Sequence, residues 1–375
     1  MLCIRYHGPQ DLRVDDISIP AIGPDELLIK TEAAAICGSD IRMWQSNLIL
    51  ANAPLPLVLG HEFAGVIVKA GRNVKHYREG MRVAIAPNFG CGTCDQCVSG
   101  RSHLCSAYEA FGVNLNGAFA EYVRIPETPI RNGNLVVLPP NVSSEEAALN
   151  EPLSCTYNGF TKCTPQSGES AMVIGAGPIG MMHAQLLHMA GLSVTVNDLS
   201  ESRLDICKKI LPFANTYTGS TGLSDYVYDV TNGRGMDVVI VACPVPAVQA
   251  STLALMNYGG RINFFGGVPK HLQPVAIDTN LIHYKELCLT GSTRSSVSQF
   301  RKTLAFIEQG HINVKSLITS RSPVEDGLTA FTRAKEGVGL KNVLTFPPVA
   351  SAVTFARSNF SALDAVLPVE TGVLK

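Results

Sequence analysis

Ser170-Ala171-Met172-Val173-Ile174-Gly175-Ala176-Gly177-Pro178-Ile179-Gly180 is the stretch on which the fold turns. Its first five residues, mostly small or β-branched, read as a short buried strand. They run into G-x-G-x-x-G, and an apolar helical run from Met181 to Ala190 follows. A glycine-rich turn between a strand and a helix is the context in which this motif binds a dinucleotide. Gly175 permits the tight turn, Gly177 lets the backbone approach a pyrophosphate, and Gly180 lets helix and strand pack closely. Pro178 and Ile179 lie within this cofactor-binding turn, and the helix that follows presents free N–H groups and a positive dipole end to the phosphates. Asp198 stands eighteen residues after Gly180, at the end of the next predicted strand, Ser193–Asp198. A carboxylate there accepts from the ribose hydroxyls and repels a 2′-phosphate, so NAD is expected over NADP. Arg203 lies close enough in sequence to soften that choice.

Outward from this turn, strands and helices alternate. A helix is predicted over Glu201–Ile210, strands over Asp237–Ala242, Gly260–Phe265 and Leu287–Thr290, and helices over Val248–Met256 and Val297–Gln309. Such alternation implies βαβ units and a parallel sheet. The first third differs: Leu27–Ala33, Gly65–Ala70 and Met81–Ile85 are short β-like runs between Gly and Pro, and Ser144–Leu149 reads as a capped helix start. The fold class is therefore α/β, a β-rich unit with a doubly wound parallel-sheet domain inserted into it. The expected organisation is residues 1–160 as the first part of the β-rich domain and 161–290 as the nucleotide domain. Residues 291–346 complete the nucleotide domain and return to the first, and 347–375 form a tail to which no role attaches. No internal repeat is seen.

Eleven cysteines, an odd number in a chain without an export signal, argue against a disulfide framework and fit a cytoplasmic protein. Cys91, Cys94, Cys97 and Cys105 stand apart, with the spacing C-x2-C-x2-C-x7-C. Four thiolates in one short lobe are the ligand set of a structural zinc.

The 375 residues are too many for one small core, and a two-domain chain is the simplest expectation. Hydrophobic residues make up 46% and charged residues 16%, which excludes a disordered chain. The net charge of −1 leaves no basic footprint for nucleic acid or an anionic membrane. No apolar run is long enough to span a bilayer. Scarce surface charge points to a homo-oligomer, a dimer or tetramer.

A second constellation carries the chemistry. Gly60-His61-Glu62-Phe63-Ala64-Gly65, with Gly71 and Val74, reads G-H-E-x2-G-x5-G-x2-V. Cys37-Gly38-Ser39-Asp40 lies upstream and Asn150-Glu151-Pro152-Leu153-Ser154-Cys155 downstream. On these residues the chain resembles the zinc-containing medium-chain dehydrogenases over roughly residues 1–346. It is most similar to the sorbitol and polyol dehydrogenase branch, with the threonine dehydrogenases as relatives. The resemblance implies a GroES-like catalytic domain interrupted by a Rossmann domain. It implies a catalytic zinc beside the structural one, held at the positions of Cys37, His61 and Glu62, with Glu151 as the other carboxylate near the metal. Which of Glu62 and Glu151 binds the ion directly stays open. Cys, His and Glu are all good zinc ligands. Cys155 reads as a core cysteine near the site.

The resemblance further implies zinc- and NAD-dependent hydride transfer from an alcohol, with Ser39 relaying the hydroxyl proton. Arg42 stands where the family often has His. A guanidinium cannot accept that proton, so the relay ends in water or at a carboxylate such as Glu151. Arg294 matches a position lining the family's polyol pocket, whereas Ser295 and Met43 depart from the sorbitol pattern. The leading expectation is a small polyhydroxy substrate: a polyol, cyclitol or sugar phosphate oxidised at a secondary alcohol to a ketone. The alternatives are an amino-alcohol substrate, as for L-threonine 3-dehydrogenase, and a non-catalytic cofactor-binding protein.

Overall fold

The computed structural model describes residues 1–45 and 53–347. Two sheets position everything that follows. In the first, Leu27–Ala35 is central; eight of its nine residues are buried, as in a strand covered on both faces. It pairs antiparallel with Glu62–Ala70, which pairs with Arg82–Ile85. On the other edge of Leu27–Ala35 lies Lys341–Thr345, with Val343 opposite Ala35, followed by Ile318–Pro323. A strand from the first part of the chain thus pairs with one from its last part, and the second sheet is inserted between them in sequence.

The second sheet has six strands, all parallel. Their order is Asn215–Thr218, Ser193–Asp198, Ser170–Ile174, Met236–Val241, Met256–Phe264 and Cys288–Gly291. The strand Ser170–Ile174 has the second strand on one side and the fourth on the other, so the winding reverses there. Ligands of open α/β sheets bind in the crevice at such a switch point. Its first helix, Pro178–Met189, begins three residues earlier than the apolar run suggests, because proline fits the first helical position, where its missing N–H costs nothing.

The largest departure from the sequence expectation is at Val248–Met256. The helix is Pro246–Ser251, followed by a 3₁₀ turn over Thr252–Leu255, and Met256 already belongs to a strand. Met256 pairs with Met236 of the neighbouring strand, and this non-local pairing ends the helix. The other strands and helices expected of this domain lie within a few residues of those limits, and the strand Asn215–Thr218 and the helices Leu223–Val230 and Thr279–Lys285 add to them. The cap of the Ser144–Ala148 helix is Ser143, whose hydroxyl accepts from Glu146 N–H while the Glu146 carboxylate accepts from Ser143 N–H. Residues 348–375 of the expected tail lie outside the described residues.

One apolar cluster runs through both sheets. It takes Ala35 and Ala64 from the first, Val173 and Val238 from the second, and Leu149 and Leu153 between them. The helix Asn150–Lys162 carries Leu153 and is buried along most of its first two turns. It is the wedge between the sheets, and Glu151 rides on its first turn. Among the described residues no helix is long and apolar enough to cross a membrane.

Candidate active site and metal centres

Sheet register assembles the first metal centre. Ala35 pairs with Glu62, so the chain leaving one strand at Cys37 stands beside the chain entering the next at His61. Cys37, His61 and Glu62 each place a ligand atom within 4.8 Å of the others. Gly60 makes the approach possible: its φ is +96°, and a β-carbon there would lie 2.5 Å from the Phe119 ring. The fully buried Asp40 holds two of the three ligands. One of its oxygens accepts from Cys37 N–H at 2.9 Å, and the other lies 3.3 Å from His61 Nδ1. That leaves His61 Nε2 for the ion, the arrangement in which a carboxylate fixes the tautomer of a ligating histidine. Ser39 Oγ is 3.4 Å from the same Nε2, so its hydroxyl borders the metal position.

Charge around the trio is balanced by a residue from the far end of the chain. Glu62 is completely buried, and both its oxygens accept from Lys341 Nζ, one of them at 2.6 Å. The same ammonium donates to Ile36 O at 3.2 Å. Burial alone would lower the Lys341 pKa, but Glu62 above all, with Cys37, overcomes it and holds it above its usual value. Burial likewise works against a charged His61. Asp40 and Cys37 outweigh it and keep the imidazole well above its ordinary range, so the trio without an ion carries a proton that a metal must displace. Glu151 is buried nearby, and its carboxyl is pushed up first by burial, with Glu62 adding to the shift. Cys155 Sγ lies 3.4 Å from Glu151 Oε1, and its thiol is driven well above the usual value, again mainly by burial.

A half-buried sulfur, a buried imidazole nitrogen and a buried carboxylate oxygen, convergent, fit zinc with a coordination position left open. The second centre is the four-cysteine lobe. Its sulfurs all lie within 4.8 Å of one another, with Cys91–Cys97 at 4.0 Å and Cys94–Cys105 at 3.7 Å. Four thiolates at ~2.3 Å from a tetrahedral zinc stand about 3.8 Å apart, so the lobe has zinc dimensions. Backbone N–H groups of Thr93 and Cys94 hold the Cys91 thiol down to about 6, while burial pushes Cys97 up to about 12.

The glycine turn faces the first centre across a cleft. Gly175 has φ +115°, and a β-carbon on Gly180 would lie 1.8 Å from Gly175 O, so the helix packs directly on the turn. Gly177, Pro178, Ile179 and Arg203 line a cavity of about 250 Å³ together with Cys37, Glu62 and Gly337–Asn342. Asp198 sits at the rim of the turn, with its oxygens accepting from Ala176 N–H at 2.7 Å and Ser200 N–H at 2.8 Å. Each oxygen keeps a further lone pair.

Arg294 is placed against the four-cysteine lobe. Its guanidinium stacks 3.7 Å from the centre of the Tyr108 ring, and Nη1 donates to His103 O at 2.9 Å. Two residues of the centre escaped sequence reasoning. Asp40, three residues after Cys37, was within reach of a local argument, since ligating histidines take a carboxylate partner. Lys341 was not, because 279 residues separate it from Glu62.

Comparison with known proteins agrees with this geometry. Residues 23–137 match the family model of the alcohol dehydrogenase GroES-like domain, and residues 178–309 match that of zinc-binding dehydrogenases. An L-threonine 3-dehydrogenase of Pseudoalteromonas atlantica is 32% identical over 348 residues, covering 91% of this chain and 98% of that protein. Among solved structures, a zinc-binding dehydrogenase of Sinorhizobium meliloti bound to NADP superposes with a TM-score of 0.83 at 27% identity, covering 92% of this chain and 98% of the other. The 2R,3R-butanediol dehydrogenase of Bacillus subtilis superposes with a TM-score of 0.83 at 25% identity, covering 92% and 99%.

Proposed function

The chain belongs to the zinc-binding dehydrogenases with an alcohol dehydrogenase GroES-like domain, and from that premise we propose that it oxidises a secondary alcohol of a polyhydroxy compound to a ketone with NAD. The observation that carries the proposal is the shared cavity: metal-binding residues Cys37 and Glu62 line it together with Gly177, Pro178 and Ile179 of the phosphate turn. A substrate oxygen at the trio and a nicotinamide reached from the turn therefore belong to one cleft.

Cys37, His61 and Glu62 would hold the catalytic zinc, and the four cysteines the structural one. Bound there, zinc would supply Lewis acidity toward the alcohol oxygen and NAD the hydride-accepting capacity. The chain does the rest. Asp40 keeps the His61 ring turned, and Lys341 neutralises Glu62. Ser39, beside His61 Nε2, takes the hydroxyl proton as the C–O bond becomes a carbonyl, and passes it to water or to Glu151. Burial raises the Glu151 pKa, so in its ionised form the carboxylate is a stronger base than a solvated one and can take the proton. The turn at Gly175–Gly180 takes the pyrophosphate, and Asp198, with Arg203 beside it, takes the adenosine ribose.

A β-hydroxy amino acid is the second reading, favoured by the threonine dehydrogenases among the relatives. The deciding experiment follows NADH absorbance over a panel of polyols, inositols, sugar phosphates and L-threonine, with zinc counted in the same preparation. Turnover of a polyhydroxy compound with two zinc ions per chain is expected. Turnover of threonine alone selects the second reading, and one zinc with no turnover removes both. Scarce surface charge supports a homo-oligomer, which a light-scattering mass of 40.1 kDa would remove.

A further inference from the structure

Arg294 is a non-glycine residue at φ +53°, a conformation that survives only where the surroundings impose it. Both sides of its segment are clamped. Asn158 Nδ2 donates to Thr293 O at 3.2 Å and to Arg294 O at 3.0 Å, and Gln299 Nε2 donates to Asn158 Oδ1 at 3.1 Å. The next residue, the buried Ser295, lies 2.6 Å by its hydroxyl from Ser154 Oγ, which donates to Glu151 O at 2.6 Å. Asn158, Ser154 and Glu151 all belong to the wedge helix Asn150–Lys162. The Arg294 backbone is thus stitched to the helix that carries Glu151.

The side chain goes the other way. Its partners, His103 O and the Tyr108 ring, flank Cys105, the last ligand of the four-cysteine lobe. His103 lies in the 3₁₀ turn Ser102–Leu104, which delivers Cys105 to the cluster. When the lobe holds its ion, Cys105 is pinned and both partners are fixed. Without the ion, segment 102–108 would keep only its own turn bonds and the one from Asn114 Nδ2 to Tyr108 O.

We propose that Arg294 is a positioning residue that ties metal loading of the four-cysteine lobe to the placement of Glu151 beside the catalytic metal, through Ser295 and Ser154. The proposal rests on the reading of Glu151 as the carboxylate at that metal. The lobe is then a strut for the active site as well as a local staple: its ion holds the wedge helix in register without touching substrate.

The test uses the full-length enzyme with zinc in the lobe and cobalt exchanged into the Cys37–His61–Glu62 site. Arg294→Ala should keep two metal ions per chain and shift the visible cobalt bands. It should lower kcat about tenfold, with KM for NAD changed less than about twofold. Arg294→Lys, which keeps the cation but loses the planar fork, should recover part of both changes. Cys97→Ser, which disables the lobe, should give the same spectral shift, and the double variant should be no worse than the poorer single variant, as for residues acting in one chain. The proposal is overturned by an unchanged cobalt spectrum in Arg294→Ala or in Cys97→Ser, or by losses that multiply in the double variant. A raised KM for the alcohol alone also overturns it, because Arg294 then touches substrate. Absence of any NAD-linked oxidation by the parent enzyme would defeat the functional reading instead, and the cobalt spectra would still decide the coupling.

Discussion

Replacing Lys341 with Met tests the electrostatics of the metal centre most sharply. Lys341 is 5% exposed and Glu62 is 0% exposed, and Lys341 also satisfies the Ile36 carbonyl. Removing one partner of such a pair strands a carboxylate without solvent, which costs about 3–5 kcal/mol. The orphaned carbonyl adds about 1 kcal/mol. At roughly 2–4 °C per kcal/mol for domains of this size, the chelated variant should melt roughly 8–24 °C below the parent. A divalent ion at Cys37, His61 and Glu62 offers Glu62 a replacement countercharge, so zinc should raise the melting temperature more in the variant than in the parent. The double variant Lys341→Met, Glu62→Leu removes both charges and should regain most of the chelated loss, since apolar groups of similar size often replace a buried pair without penalty. The assay is thermal denaturation followed by circular dichroism, with chelator and then with zinc. A chelated Lys341→Met protein melting within about 2 °C of the parent would refute the reasoning, because the pair would then contribute almost nothing.

Three further outcomes follow from the same geometry. Asp40→Asn should weaken zinc at the catalytic site about 10–100-fold in chelator competition while leaving the four-cysteine site intact; equal affinities would show that His61 needs no orienting partner. His183 is fully buried, neither ring nitrogen has a hydrogen-bond partner among the described residues, and burial presses its pKa down to about 3. The unfolded chain takes up a proton there below about pH 6.5 and the folded chain does not. Stability is therefore complete above pH 6.5 and falls with pH toward 3, by roughly 5 kcal/mol in all. Urea titrations should show that His183→Leu flattens this slope, and an unchanged slope would exonerate the residue. Asp198→Ala should raise efficiency with NADP relative to NAD at least about tenfold. It should also raise KM for both cofactors, because Asp198 braces the turn through Ala176 and Ser200. An unaltered cofactor ratio would remove Asp198 from the ribose.

How much was legible in advance depends on the distance over which each feature is encoded. The glycine turn and the C-x2-C-x2-C-x7-C lobe are complete within about fifteen residues, so the backbone closes them with little help from the rest of the chain. The Cys37–His61–Glu62 set spans more sequence, but each piece keeps a recognisable local pattern. The stretch Val248–Met256 shows the limit of local reading: its apolar spacing suits a helix, and pairing of Met256 with Met236 claims its end for the sheet.

By its amino-acid order alone, this protein declares a dinucleotide turn and a four-thiolate lobe, because those chemistries need fixed residue types at short spacing; the trio Cys37, His61 and Glu62 was marked only by resemblance to a family. Which partners neutralise and orient that trio was settled only in three dimensions. Lys341 reaches Glu62 across 279 residues, and at the four-cysteine lobe Arg294 reaches His103 across 191. No periodicity links residues so far apart. The pairing of Lys341–Thr345 with Leu27–Ala35, and the wedge helix between the sheets, bring them to bonding distance.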